Sequence, residues 1–187
     1  MQAYWRRHRP RAGVRQLELS DVAPRLDLLA HAVFGRVFPL HPSQPPPPRT
    51  FLDKLLRRHE APPASSALPA TDGGGIWLPR AIVVDTTETA ALSRYRLMLL
   101  LQAMRAARGS ALHYPWRENA WVRACYHLLE ARAADAQLER LLPGLAGTLR
   151  DFRLGALAAR PALASLAPPL WPMEQALRAM LADASAP

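Results

Sequence analysis

The chain has 187 residues, of which 50% are hydrophobic and 21% charged. That length suits one domain with appendages, and that composition excludes a wholly disordered chain. The formal net charge is +9 and Cys125 is the only cysteine, so an internal disulfide is excluded and a reducing compartment, the cytoplasm, is expected.

Residues 1–13 read as a basic arm. Residues 14–19 (VRQLEL) alternate apolar and polar, which suits a short strand or an extended lead-in. Ser20 is expected to cap the first helix, with Asp21 in its first turn. Val22, Leu26, Leu29, Val33 and Val37 then recur at helical spacing, and Pro24 is tolerated near the start. Residues 39–48 (PLHPSQPPPP) exclude helix, and the four consecutive prolines favour a stiff polyproline II spacer. Thr50 caps a short predicted helix over 51–59, with Asp53 as its capping-box-like partner. Residues 61–75 form a second loop.

Residues 76–84 (IWLPRAIVV) are apolar with Pro79 inside, which predicts a short edge strand or extended segment. Asp85 followed by Glu88 is a helix-start signal. The helix it opens runs to about Arg108 and stops at Gly109. It is apolar over so much of its circumference, through Leu92, Tyr95, Leu97, Met98, Leu99, Leu100 and Met104, that it belongs at the centre of a core. Asn119 caps the next helix, over 120–141, with Trp121, Cys125, Leu128, Leu129 and Ala136 expected inward and Cys125 a buried structural thiol. Pro143-Gly144 ends it. A further helix covers about 145–160 with Leu149, Phe152 and Leu157. Pro172 opens the last, whose stripe is Met173, Leu177 and Met180.

The fold predicted is mainly α: a helical bundle of about five or six helices with at most a small β element. Leu99, Leu128 and Phe152 are expected in the core. The layout is a basic arm 1–13, an N-terminal helical segment 14–60 with the Pro-rich loop 39–48, a flexible loop 61–75 and a helical core domain 76–184. No secretory signal is expected, because MQAYWRRHRPR is not followed by an apolar stretch. The longest apolar run, 97–104, is broken by Gln102 and falls short of the ~20 residues of a membrane span.

Lys54 is the only lysine, leaving 23 arginines among the 24 basic residues. This looks like the codon bias of a GC-rich genome, and the favoured reading of the charge is a solvated basic surface. The alternative is a nucleic-acid-binding helical module, since Tyr114, Trp116 and Trp121 lie near Arg117 and Arg123, the mixture that single-stranded sites use. Protein-interface hot spots use the same mixture.

The search for chemistry yields little. The glycines at 73–75 lack a following lysine, so there is no phosphate loop. His127 and Glu130 share one helix face, but a metal site needs more ligands. Ser110, His113 and Asp135 could be assembled on paper into a triad, without a nucleophile elbow to support it. No catalytic residue, metal or cofactor is assigned. A deep pocket lined by His113, His127 and Glu130 would reopen the enzyme reading. Arg123, Glu130, Arg132, Asp135, Glu139 and Arg140 read as a solvated, ion-paired face. The candidate partner-binding residues on and beside it are Arg117, Arg123, Glu130, Arg132, Asp135 and Arg140.

Three stretches carry a resemblance: 77–105 (WLPRAIVVDTTETAALSRYRLMLLLQAMR), 128–145 (LLEARAADAQLERLLPGL) and 151–166 (DFRLGALAARPALASL). Within them Leu78-Pro79, Tyr95-Arg96, Leu129-Glu130, Arg132, Asp135 and Pro143-Gly144-Leu145 stand at motif positions. The chain resembles the amino-terminal helical region of the NorD and CbbO types of accessory protein, which pair with MoxR-type AAA+ ATPases in activating nitric oxide reductase and Rubisco. It departs from their pattern at Ala131, Leu101 and Arg105, where the family carries an aspartate and two histidines. It also lacks the Asp-x-Ser-x-Ser motif of their von Willebrand A domain. The resemblance implies a truncated, split or degenerate member that works as a non-catalytic adaptor. Its partners would be a MoxR-type ATPase and the ATPase's target.

Overall fold

The computed structural model describes residues 15–44 and 67–182. The basic arm, the prolines 45–48 and the helix predicted over 51–59 with its expected Thr50 cap lie outside these residues. Among the described residues are five α-helices and two small sheets, so the fold is mainly α. No helix among them is long and apolar enough to cross a membrane.

β1 (Gln16–Glu18) runs without a break into α1 (Leu19–Phe34). The helix therefore starts one residue before Ser20, with Glu18 at the N-cap position and no side-chain cap. Ser20 is not the cap because the leading amide already has an acceptor: Leu19 N–H donates to the Arg80 carbonyl at 2.8 Å. Val22, Leu26 and Ala30 form the buried stripe. The chain turns left-handed at Gly35, and Val37, expected to continue the stripe, lies beyond it and is exposed.

β2 (Leu40–Ser43) pairs in parallel with β4 (Ile76–Pro79), and β3 (Ala70–Thr71) pairs with β4 from the other side. β4 is thus the central strand of its sheet and not an edge. Pro79 is accommodated because it is the last paired residue, opposite Ser43, where the amide that proline lacks interrupts no continuing ladder. The Asp72-Gly73-Gly74-Gly75 turn joins β3 to β4. Asp72 Oδ1 accepts from the amides of Gly74 and Gly75, both at 2.8 Å. Gly73 has φ +94°, a conformation that side chains disfavour. β5 (Ala81–Val83) pairs antiparallel with β1.

α2 (Glu88–Ala107) is the central element. Its cap is Thr87, whose side chain accepts from Ala90 N–H at 3.1 Å, while Asp85 instead pairs with Arg94 at 3.2 Å. Its end is a Schellman motif: Gly109 (φ +71°) donates to the Ala106 carbonyl at 3.1 Å and Ser110 to that of Arg105 at 3.0 Å. One side of α2 (Ala91, Tyr95, Leu99, Ala103, Ala106) packs with Leu17, Leu19, Val22, Leu26, Phe38, Ile76, Leu78 and Ile82. The opposite side (Leu97, Leu100, Leu101, Met104) packs with Ala134, Leu138 and Leu149. Two hydrophobic clusters thus share one helix, as its all-round apolar character predicts.

α3 (Ala120–Leu141), capped by the Asn119 side chain on Val122 N–H at 3.1 Å, lies against α2. Its inward face corrects the sequence reading. Ala134 and Leu138 are buried, whereas Trp121, Cys125 and Leu129 are exposed and Leu128 is only half-buried. Apolar residues are spread around most of this helix, so hydrophobicity alone does not select a face. Small Ala134 admits a close approach, and the carboxylates beside it meet arginines from neighbouring helices.

The 3-10 turn Pro143–Leu145 leads into α4 (Ala146–Ala158), and α5 (Trp171–Ala182) closes the chain with Pro172 in its first turn. On α4 the buried residues are Leu149 and Arg153; Phe152, expected in the core, is 41% exposed. Glu174 of α5 is buried between Arg160 and Arg178, accepting from Arg160 Nε at 3.0 Å and Arg178 Nε at 2.9 Å. The Arg160–Glu174 pair, with Arg178 Nη2 donating to the Pro161 carbonyl, fixes α5 to the end of α4.

Candidate functional site

A cavity of about 500 Å³ opens where the end of α2, the 109–118 loop, α3 and the β3 strand converge. α2 contributes Gln102 and Arg105; the loop contributes Ser110, Ala111, Tyr114 and Trp116. α3 contributes Tyr126, His127, Glu130 and Ala131, and the β3 side contributes Ala70, Thr71 and Asp72. The Schellman turn at Gly109 folds the loop back over α3, which brings Ser110 and Tyr114 to the same place as residues 126–131.

The polar groups of the cavity are ordered by arginines. Arg108 donates to both oxygens of Glu130, from Nε at 2.7 Å and Nη2 at 3.1 Å, and its Nη1 donates to Gln137 at 2.8 Å. The Ser110 hydroxyl lies 2.6 Å from Glu130 Oε1 and 2.9 Å from the Arg105 carbonyl. Arg108, with Ser110 and Arg105 in support, therefore holds the Glu130 carboxyl below its ordinary range despite its burial. Tyr126 O–H donates to the Ser110 carbonyl at 2.7 Å and locks the loop to α3. Partial burial, and then the positive Arg105, push the His127 imidazole below its ordinary value.

Arg105 differs from its neighbours. Its Nε is buried and has no hydrogen-bond partner. Burial lowers its pKa, and the carboxylates of Asp135 and Glu130 act on it from a distance to raise it. Those carboxylates are engaged elsewhere: Asp135 accepts from Arg153 Nε at 3.1 Å, and Arg153 Nη2 donates to Glu139 at 2.8 Å.

Four aromatic rings complete the wall. Tyr114 meets Trp116 at 4.5 Å and Tyr126 at 5.7 Å, both edge-on, and lies 4.9 Å from His127. Such edge-to-face contacts fix ring positions as well as adding attraction.

The sequence-derived candidates are only partly assembled. Glu130 and Asp135 are tied into the ion pairs just described, so they do not form a free face. Arg123 Nη1 donates to the Glu118 carbonyl at 2.6 Å. Arg117 and Arg140 are exposed, and Arg132 is half-buried. Ser110, His113 and Asp135 form no triad: Ser110 turns to Glu130, Asp135 to Arg153, and His113 is exposed. His127 and Glu130 both line the cavity; His113 does not. No group of three or more His, Cys, Asp or Glu that could hold a metal is found among the described residues. Of the motif positions, Leu78 and Tyr95 are buried, Arg96, Leu129, Pro143 and Gly144 exposed, and Pro79 and Leu145 half-buried. Sequence reasoning missed Arg105 and Tyr126. The signal for Arg105 was available, since an arginine among Leu101, Met104 and Ala106 on the most apolar helix cannot be a simple surface residue.

Outside the cavity, the amino-terminal half of α3 carries an exposed apolar face. Trp121, Cys125 and Leu129 follow one another at four-residue spacing, which places them on one side of the helix, and Val122 adjoins them. Leu129 is 67% exposed and Trp121 45%. In the loop before α3, Leu112 is 85% exposed, and Trp116, at the rim of the cavity, 75%. Comparison with protein-family models, with curated proteins and with solved structures found no match to this chain.

Proposed function

We propose that this chain is a non-catalytic cytoplasmic adaptor: an accessory protein that binds a MoxR-type AAA+ ATPase and helps it activate or remodel a target protein complex, of the nitric oxide reductase or Rubisco kind. The observation that carries the protein-binding part is the exposed face of Trp121, Val122, Cys125 and Leu129 on α3. Exposed apolar residues gathered on one rigid element are characteristic of interaction surfaces, and tryptophan is over-represented among residues that dominate binding energy. Leu129 is also one of the positions on which the resemblance rests. The identity of the motor comes from that resemblance alone.

The nucleic-acid reading has less support. Tyr114, one of its stacking candidates, is engaged by Trp116, Tyr126 and His127. Arg108, Arg153, Arg160 and Arg178 are spent on internal carboxylates.

The test is co-purification with a MoxR-type ATPase, together with ATP turnover in the presence and absence of this chain. The adaptor reading expects a complex and altered turnover, both lost in Leu129→Asp. No complex and unchanged turnover overturn it. Binding to single-stranded nucleic acid that weakens steeply with salt would establish the other reading in its place.

A further inference from the structure

The cavity beside α2 is not needed for adaptor work on the α3 face, and its chemistry points to a ligand of its own. Its volume of about 500 Å³ is within the range of small-molecule sites, roughly 300–1,000 Å³. Such sites combine a mostly apolar wall with a few placed polar groups, and here Tyr114, Trp116 and Tyr126 supply the wall. We propose that this cavity binds a small organic monocarboxylate with a flat, apolar body, its carboxylate meeting Arg105 and its body lying among the three aromatic rings.

The polar inventory decides the sign of the ligand. Both Glu130 oxygens already accept hydrogen bonds from Arg108, and Oε1 also has the Ser110 hydroxyl. Asp135 is taken by Arg153, and Asp72 Oδ1 by the Gly74 and Gly75 amides. The unmet demand is a donor's: Arg105, a cation whose Nε has no partner. That Nε is shielded from the cavity, so an arriving carboxylate would pair with the terminal amino groups of the guanidinium, in the geometry that arginine favours. A cation would face Arg105, with only the exposed Asp72 carboxylate, half engaged by the glycine turn, left to receive it.

The inventory also decides the charge number. Glu130 and Asp72 line the same space, and a doubly charged phosphate would be repelled by both more strongly than a single carboxylate. The glycine turn at 73–75 uses two of its amides on Asp72 and offers no phosphate cradle. One negative charge, spread over two planar oxygens, matches one guanidinium.

The proposal is independent of the adaptor reading, and its test uses the whole chain without any ATPase. Phenylacetate and indole-3-acetate are titrated by calorimetry and by tryptophan fluorescence, with phenylacetamide as the neutral isostere and benzylamine as the cation. The carboxylates are expected to saturate one site. The amide should bind about tenfold weaker or worse, because hydrogen bonds to a charged group are worth about 1.5–3 kcal/mol and each 1.4 kcal/mol is tenfold. Benzylamine should not bind. Arg105→Gln should lose the preference for carboxylate over amide, while Trp116→Ala, an exposed change, should weaken both several-fold. No saturation by either carboxylate, equal affinity for phenylacetamide, or an unchanged preference in Arg105→Gln overturns the proposal. The carboxylate-amide comparison on the unaltered chain decides it even if Arg105→Gln does not fold.

Discussion

The hydroxyl of Tyr95 donates to the carbonyl of Pro79 at 2.9 Å, so the Leu-Pro and Tyr-Arg pairs of the 77–105 stretch are joined inside the first core. The Leu17 carbonyl lies 3.3 Å from the same hydroxyl. Burial, with Glu18 and Asp21 nearby, pushes this phenol up to about 12. Tyr95→Phe keeps the ring and removes the bond. It should cost about 0.5–1.5 kcal/mol, read as a lower urea midpoint with an unchanged slope. A loss below that range would mean the hydroxyl does not hold β4 to α2.

The inward faces of α3 and α4 are tested by one truncation in each helix. Leu138 is fully buried and Phe152 is 41% exposed. Leu138→Ala should cost about 2–5 kcal/mol, the range for buried leucine. Phe152→Ala should cost distinctly less, even though more atoms are removed. Denaturant melts that rank the two in the opposite order would restore the inward face that hydrophobicity suggests.

Arg153 is buried and bridges Asp135 and Glu139. Removing one partner from a buried ionic cluster leaves the others uncompensated and costs about 3–5 kcal/mol. Arg153→Met is expected to lie in that range by chemical denaturation. Asp135→Asn, which keeps the shape and leaves Arg153 with Glu139, should cost less.

Acid should weaken the fold partly through Glu130. Its folded pKa is depressed below the ordinary 4.5, so its contribution is fully present above 4.5 and is lost as pH falls through the lowered folded value. Asp135 has the opposite sign: burial, only partly offset by Arg153, raises its carboxyl above 3.8, so that group costs stability as pH rises past that value. Stability measured from pH 6 to pH 3 should therefore fall less steeply in Glu130→Gln than in the unaltered chain. Parallel curves would remove Glu130 from the account.

The α3 face can be tested without disturbing the interior. Trp121→Ser and Leu129→Asp alter exposed positions and should shift stability by no more than about 0.5 kcal/mol. Each should weaken partner binding by at least about thirtyfold if it is a hot spot, which corresponds to about 2 kcal/mol. A melt lowered as far as by Leu138→Ala would show that the face is packed inside the molecule.

What could be read from the sequence was whatever local physics decides. α2 announces itself by being apolar all round, and Gly109, Asn119 and Pro143 punctuate the helices through backbone and capping chemistry that acts over a few residues. The β element at 16–18 and 76–83 was also foreseeable. α3 was misread because its apolar residues select no face. What settles its orientation is where Glu130 and Asp135 find Arg108 and Arg153, partners 22 and 18 residues away. Ser20 looked like a cap, and only the distant Arg80 carbonyl makes one unnecessary. Of the cavity, His127 and Glu130 were legible in the sequence as a pair on one helix face. Arg105 and Tyr126 acquire meaning only once the Gly109 turn brings the following loop back.

Because α2 serves as a wall to both hydrophobic clusters, neither can melt while the other stays intact. The amides in the middle of α2 should be the last in the molecule to exchange with deuterium, all at a rate set by global opening. A load taken up at the outer face of α3 would pass into the strands through α2, braced by α1, whose Leu29 and Phe34 touch both clusters.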